Sequence, residues 1–84
     1  MIYTPIFDAI CDCAFMGDPT LIDKLSDEDV VSLMEEAKLR KAAVYRQLRG
    51  HHDNSDALDS KTLFKHLTSS NTIQNYISRT RGLA

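Results

Sequence analysis

Cationic side chains and a tyrosine recur at helical spacing in the segment Asp29–Gly50, which reads DVVSLMEEAKLRKAAVYRQLRG. When the apolar residues of its second half face a core, six side chains remain on the outer surface. They are Arg40, Lys41, Ala42, Tyr45, Arg46 and Arg49. Cations hold the phosphates of a duplex, and the forked donors of arginine read guanine edges in the major groove. These six residues are therefore the predicted contact surface for double-stranded DNA.

Cysteine and histidine are the residue types that could bind a metal ion. Cys11 and Cys13 are one residue apart, so on a helix their side chains point about 200° apart. His51 and His52 are adjacent and lack the spacing of zinc ligands. We expect Cys11 in the core, Cys13 partly exposed and the histidines at a loop end, with no metal or other cofactor. A phosphate contact just past the cationic segment would suit the histidines better than metal ligation.

Catalytic patterns are absent from the sequence. No grouping of His, Cys, Ser and acid has a recognisable spacing, and the 3 glycines leave little backbone for a phosphate-binding loop. The acids within residues 27–36 have the pattern of a solvated surface. We expect that the chain is not an enzyme.

Charge is divided unevenly along the chain. Residues 1–37 carry nine acids and one lysine, whereas residues 38–84 carry nine bases and three aspartates. Such a division is typical of a protein whose basic half meets a polyanion. The alternative is that the two halves neutralise each other, either across the fold or across a dimer.

Length and composition describe one small domain. The chain has 84 residues, and its hydrophobic content of 43% is too high for a disordered protein. No apolar run reaches the roughly 18 residues that a membrane span requires. The two closely spaced cysteines give no sign of an oxidising compartment. We expect a single soluble, cytoplasmic domain over residues 1–84.

Capping residues and apolar spacing predict an all-α fold with five or six helices. Helix starts are indicated at Thr4-Pro5, Asp18-Pro19, Ser26, Asp59 or Ser60, and Ser69 or Ser70. Apolar residues recur at steps of three and four, and no segment alternates as a strand does. Gly50–Asp59 is the one stretch with the composition of an irregular loop. Phe64 is expected in the core, and Tyr76 in the core or a dimer interface.

The segment Asp29–Gly50 also resembles a helix-turn-helix found in many prokaryotic DNA-binding regulators, of the form D-V-x-x-L-x-x-x-A-G-L-S-R-x-T-V-Y-R-x-L-x-G. The positions that match are Leu33, Ala37, Leu39, Val44, Tyr45, Arg46, Leu48 and Gly50. Further likeness lies in Leu58–Leu67, which is similar to the next helix of lambda-repressor-like domains. Gly17–Leu25 is similar to a helix start in HigA-like addiction-module antidotes. The resemblance implies a sequence-specific transcriptional regulator of phage, plasmid or toxin–antitoxin type, with its recognition helix turned away from the body after Ala37.

A single unbroken helix from Asp27 to Arg49 is the structural alternative. The regulator pattern has a turn glycine and a capping Ser or Thr where this chain has Lys38 and Arg40, and the stretch EEAKLRKAA is made of strong helix formers. An unbroken helix would leave Leu39 on the outer side and place Lys41 on the buried stripe.

Two functions remain open at this point. The first is the DNA-binding regulator, for which a homodimer is favoured because one small reader makes few base contacts. The second is a helical protein-interaction module, such as a phage-type inhibitor or adaptor, that binds a host protein through its acidic N-terminal half. An antidote that binds a toxin through its first helices and DNA through the helix-turn-helix would combine the two.

Overall fold

The fold consists of helices alone over the part of the chain that the structure describes. The structure is a computed structural model that describes residues 4–50 and 58–82, with side chains from Ile6 onward. Helix α1 spans Thr4–Phe15, a short 3-10 helix spans Thr20–Lys24, α2 spans Asp27–Leu48 and α3 spans Ser60–Arg81. The predicted all-α class is confirmed.

Capping side chains fix where the two long helices begin, as the sequence predicts. The Ser26 hydroxyl accepts a hydrogen bond from the Asp29 amide at 3.2 Å, and the Asp59 carboxylate accepts one from the Thr62 amide at 2.7 Å. Each bond satisfies an amide that has no partner within its helix. After α2, Gly50 takes a positive φ of 81°, which a glycine adopts without strain.

The number of helices is smaller than predicted: the described residues form three α-helices and one 3-10 helix, not five or six helices. The expected start at Ser69 or Ser70 is wrong, because α3 continues through both residues and the Ser69 hydroxyl donates to the Lys65 carbonyl at 2.7 Å. A serine inside a helix can satisfy its hydroxyl in this way without ending the helix. At Asp18-Pro19 the segment that follows is 3-10 rather than α.

The predicted turn after Ala37 is absent, since α2 runs without a break from Asp27 to Leu48. The helix-turn-helix of residues 29–50 is therefore not formed. The structure instead has the single unbroken helix that was the alternative prediction. Leu39 is 61% exposed on the outer side and Lys41 is half-buried. The cause is local: Lys38 stands where a left-handed turn would need a glycine, and its neighbours favour helix.

Helix α3 packs against both α1 and α2. The Gln47 side chain exchanges two hydrogen bonds with the Leu58 backbone, at 2.7 and 2.8 Å, where α2 ends and α3 is about to begin. At the opposite end Arg81 binds Asp27, with Nη1 2.6 Å from Oδ1. No described helix is long and apolar enough to cross a membrane.

The core lies between the three helices and the 3-10 helix. Its buried members are Phe7, Ile10, Cys11, Ala14, Ile22, Val30, Leu33, Met34, Ala37, Ile73 and Ile77. Tyr76 packs against this core, in agreement with one of the two environments predicted for it. The prediction that Phe64 lies in the core is wrong. Its side chain is 62% exposed and makes an edge-on contact with the Phe15 ring, with centroids 6.0 Å apart.

Candidate functional site

The six predicted DNA-contacting residues do not share one surface. Arg40 turns inward toward α1, where its Nη2 lies 3.7 Å from Asp8 Oδ1 and its guanidinium carbon lies 4.5 Å from the centroid of the Phe7 ring. Lys41 is half-buried on the stripe that faces the core side. The other four remain exposed along the second half of α2. They are Ala42, Tyr45, Arg46 and Arg49.

Arg40 belongs to a polar cleft in which α1, α2 and α3 meet. The cleft, with a volume of about 350 Å³, is lined by Asp8, Cys11, Asp12, Arg40, Thr62, Lys65, His66 and Ser69. Asp12 forms an ion pair with Lys65, which matches the pair between Asp8 and Arg40. Two carboxylates and two cations thus tie the helices together with no net charge between them.

Burial shifts the pKa of two groups in the polar cleft, Cys11 and His66. Burial raises the pKa of the Cys11 thiol, and the nearby Arg40 guanidinium offsets this only in part. The thiol therefore stays protonated at neutral pH and is a weak nucleophile. Burial, followed by the positive charges of Arg40 and Lys65, lowers the pKa of His66, so this imidazole is neutral at pH 7. We interpret the polar cleft as a structural connection between helices.

The ion pairs account for part of the uneven charge in the sequence. Each of the three pairs found among the described residues joins an acid of residues 1–37 to a base of residues 38–84. The pairs are Asp8 with Arg40, Asp12 with Lys65 and Asp27 with Arg81. Asp23 is likewise engaged, because it accepts a hydrogen bond from the Tyr76 hydroxyl. Three of the nine acids of residues 1–37 are thus neutralised across the fold, in partial agreement with one of the two interpretations of the charge division.

A different surface, the outer face of α2, has apolar side chains that the fold does not cover. We define the α2 outer face by residues that fall within about 120° of one another around the helix, at 100° per residue. These residues are Asp27, Glu28, Val31, Glu35, Lys38, Leu39, Ala42, Tyr45, Arg46 and Arg49, all exposed. Val31, Leu39 and Tyr45 are 49%, 61% and 41% exposed. The solvent side of an amphipathic helix is ordinarily polar, and here it also has these three apolar side chains.

Charge on the α2 outer face is ordered along the helix. Glu28 and Glu35 precede Leu39, whereas Arg46 and Arg49 follow it. Within residues 4–50 and 58–82, none of these four side chains takes part in an ion pair. The surface therefore has glutamates toward its start, Lys38 beside Leu39 near its middle and arginines toward its end.

A second apolar surface is a groove of about 430 Å³ between α1 and the 3-10 helix. It is lined by Ile6, Ala9, Ile10, Leu21, Lys24 and Leu25. Only Lys24 brings charge to it. The groove lacks the ordered charge that marks the α2 outer face.

Metal binding finds no support in the described geometry. Outside residues 1–3, 51–57 and 83–84, no group of His, Cys, Asp and Glu is arranged to hold a metal ion. Cys11 is buried and Cys13 is half-buried, as expected. His51 and His52 lie outside the described residues.

The sequence alone could have predicted the α2 outer face from the spacing of its apolar residues, but the regulator pattern favoured a turn in this segment. Val31, Leu39 and Ala42 follow one another at helical spacing only when the helix is unbroken. A turn at Lys38 would have taken Leu39 into the core and hidden the row.

Comparison with known proteins adds nothing to this geometry: no family model, curated protein or solved structure matches the chain.

Proposed function

We propose that this chain is a helical protein-interaction module that binds its partner through the α2 outer face. One observation carries the proposal: three large apolar side chains, Val31, Leu39 and Tyr45, lie exposed on one side of a helix whose opposite side forms the core. Burial of apolar surface stabilises a complex by about 25 cal/mol per Å². A partner that covers these side chains would gain that stabilisation, whereas the isolated chain leaves it unused.

The proposal moves the binding surface away from the acidic N-terminal half as a whole. Asp8, Asp12 and Asp27 are paired with cations of the same chain, so they offer little net charge to a partner. Glu28 and Glu35 of the α2 outer face are not paired in this way within the described residues. A partner would therefore meet these glutamates on the part of the surface that precedes Leu39.

Site-specific photo-cross-linking tests the proposal in cells of the source organism. A photoreactive amino acid replaces Leu39 in one variant and Met16 in the other. Met16 is the matched control because it is also apolar and is 80% exposed, but it lies outside the α2 outer face. We expect a discrete protein adduct from position 39 that is absent from position 16. Equal labelling from both positions, or none from position 39, would count against a binding surface on α2.

DNA binding is a second candidate, and one observation favours it. Ala42, Tyr45, Arg46 and Arg49 are exposed together on the last half of α2, where two arginines could contact phosphates. In this candidate the chain is a transcriptional regulator of phage, plasmid or toxin–antitoxin type. It would need to reach the duplex with an unbroken helix held against the body of the domain.

Salt dependence tests this second candidate. Phosphate contacts release counterions, so log affinity for a duplex should fall linearly with log salt concentration. We expect Arg46→Ala to weaken binding and reduce that slope, whereas Arg79→Ala on the exposed side of α3 should have little effect. If duplexes of random sequence are not retained at low salt, or if the two variants lose affinity equally, the α2 surface does not bind DNA.

A further inference from the structure

We infer that the groove between α1 and the 3-10 helix binds a free fatty acid of medium chain length, with the alkyl chain along its apolar walls and the carboxylate at Lys24. The groove shares no residue with the α2 outer face, so this ligand is independent of the proposed function. The shape of the groove, its single cation and the contacts that hold its second wall in place support this class of ligand.

The groove is concave, and its floor belongs to the core. Ile10 at the floor is 1% exposed, whereas Ile6 at the rim is 46% exposed. Leu21 and Leu25 form the second wall and also pack against the core. The volume of about 430 Å³ is that of a small-molecule site, because such sites are mostly apolar clefts of about 300–1,000 Å³ with few polar groups. The groove therefore has the size and the lining that an alkyl chain requires.

Lys24 gives the groove a single positive charge. Residues three apart lie on the same side of a 3-10 helix, so Lys24 lines the groove together with Leu21. Within residues 4–50 and 58–82, no acid lines the groove and Lys24 forms no ion pair. An apolar site with one exposed cation is complementary to an apolar ligand with one negative charge.

The neighbouring acids do not neutralise this charge at the groove. Those on either side of Lys24 in the sequence have hydrogen-bond partners outside the groove. These contacts are Asp18 with Thr20, Asp23 with Tyr76 and Asp27 with Arg81. On α1, Asp8 and Asp12 line the polar cleft and pair with cations there. Glu28 and Asp29, in the first turn of α2, do not line the groove.

The second wall of the groove is held in place by α3. Arg81 Nη2 donates to the carbonyls of Ile22 and Leu25, at 3.3 and 3.0 Å, and Nη1 lies 2.6 Å from Asp27 Oδ1. The Ile22 side chain is fully buried in the core. These contacts fix the 3-10 helix before any ligand enters. A preformed site of this kind loses less free energy to ordering when it binds.

A free fatty acid suits this site better than a membrane surface does. Binding to an anionic membrane uses a cluster of cations, and one cation lines this groove. The groove instead rewards chain length, because burying one methylene strengthens binding by up to about fourfold. The chain supplies the affinity, and the carboxylate sets the orientation.

NMR titration of the isotope-labelled full chain with decanoate, kept below its micelle concentration, tests the inference. We expect saturable amide shifts that cluster at residues lining the groove, with Ala9 and Leu21 among them. Hexanoate should bind about tenfold more weakly or worse, because fewer methylenes are buried. Decyltrimethylammonium, which has a similar chain and the opposite charge, should not produce saturable shifts at the groove.

Two pairs of matched variants locate the head and the tail. Lys24→Met should weaken decanoate by about threefold to fivefold, the range of an exposed charge pair, and Lys24→Arg should not. Lys61→Met, at an exposed position of α3, is the control and should have no effect. Ala9→Phe should fill the groove and abolish saturable binding, whereas Ala43→Phe on an exposed position of α2 should leave it unchanged. Circular dichroism checks that each variant is folded.

Several results would overturn the inference. They are shifts spread over the whole chain, equal affinity for decanoate and the cationic amphiphile, and equal loss in the Lys24→Met and Lys61→Met variants. Binding to vesicles of anionic phospholipid without binding to free decanoate would identify a membrane surface instead. A dimer that Ile6→Glu dissociates, in a chain that does not bind decanoate, would show that the groove is occupied by a second copy.

Discussion

The guanidinium of Arg40 lies over the ring of Phe7, with its carbon 4.5 Å from the ring centroid. The same group is 3.7 Å from the Asp8 carboxylate and donates toward the Cys11 sulfur at 3.8 Å. A cation placed between an aromatic face and a carboxylate joins α2 to α1. A residue whose type and spacing suggest a contact with DNA is thus a structural contact between two helices.

Arg40→Ala should lower the free energy of unfolding by about 1–3 kcal/mol, because it removes a cation–π contact, an ion pair and the packing of a long side chain. Arg40→Lys should recover part of the loss, since a lysine keeps the charge but not the planar group. Urea denaturation measures both. Arg46→Ala is the control on the same helix and should stay within about 0.5 kcal/mol of wild type, as an exposed substitution usually does. If the Arg40 and Arg46 variants were equally stable, Arg40 would have no structural role.

How far the sequence could predict this fold depends on the range over which each signal acts. Ser26 and Asp59 were predictable as helix starts, because a cap involves only residues two or three positions away. The buried row of Val30, Leu33 and Ala37 was predictable from periodicity, which is also local. These signals give the fold class and the residues at which the two long helices begin.

The contacts of Arg40 could not be predicted, because they depend on which residues of α1 the fold brings beside it. The pattern of a regulator assigned Arg40 to a surface, and nothing within Asp29–Gly50 indicated Phe7 or Asp8 as its partners. The position of Phe64 could not be predicted either, because it also depends on distant parts of the chain. It has the type and spacing of a core residue, yet it lies at the edge of the domain against Phe15.

Ser69 is fully buried in the middle of α3, beside the Cys11 thiol of α1. We expect Ser69→Leu to destabilise the fold by about 1–3 kcal/mol, since extra volume in a packed interior forces neighbouring groups apart. Ser78→Leu on the exposed side of the same helix is the matched control and should change stability little. Thermal unfolding followed by circular dichroism compares them. Similar melting temperatures for the two variants would mean that the contact around Ser69 is loose.

The two cysteines should differ in reactivity. Burial raises the pKa of Cys11, whereas Cys13 is partly exposed to solvent. A disulfide reagent at pH 8 should therefore modify Cys13 quickly and Cys11 only as fast as the protein opens. Mass spectrometry of the labelled peptides, in native protein and in urea, measures how fast each cysteine is modified. Faster labelling of Cys11 in the native protein would show that the polar cleft admits reagent and activates the thiol.

Acid should weaken the start of α3 through Asp59. Hydrogen bonds from the side chain and the backbone amide of Thr62 lower the pKa of this carboxyl below that of an unperturbed aspartate. A carboxyl whose pKa is depressed by folding stabilises the folded state above its unfolded pKa, and this contribution is lost as the pH falls through the folded pKa. We expect the stability difference between wild type and Asp59→Asn to narrow as the pH falls below about 4. Thermal unfolding at a series of pH values measures this difference. A stability difference that does not change with pH would show that Asp59 does not cap α3 through its ionised carboxylate.

Lys38 decides between an unbroken α2 and a turn, because the two geometries predict opposite effects of glycine there. In a continuous helix Lys38→Gly should be less stable than Lys38→Ala by about 1 kcal/mol, since glycine loses more backbone entropy and alanine is the best helix former. In a helix-turn-helix the residue at this place is left-handed, so glycine would be the more stable of the two. Comparing the two variants with each other cancels the loss of the lysine side chain itself. Urea denaturation of both gives the sign: a less stable glycine variant supports the unbroken helix that the α2 outer face requires. A more stable glycine variant would restore the regulator geometry and remove the row that Val31, Leu39 and Ala42 form.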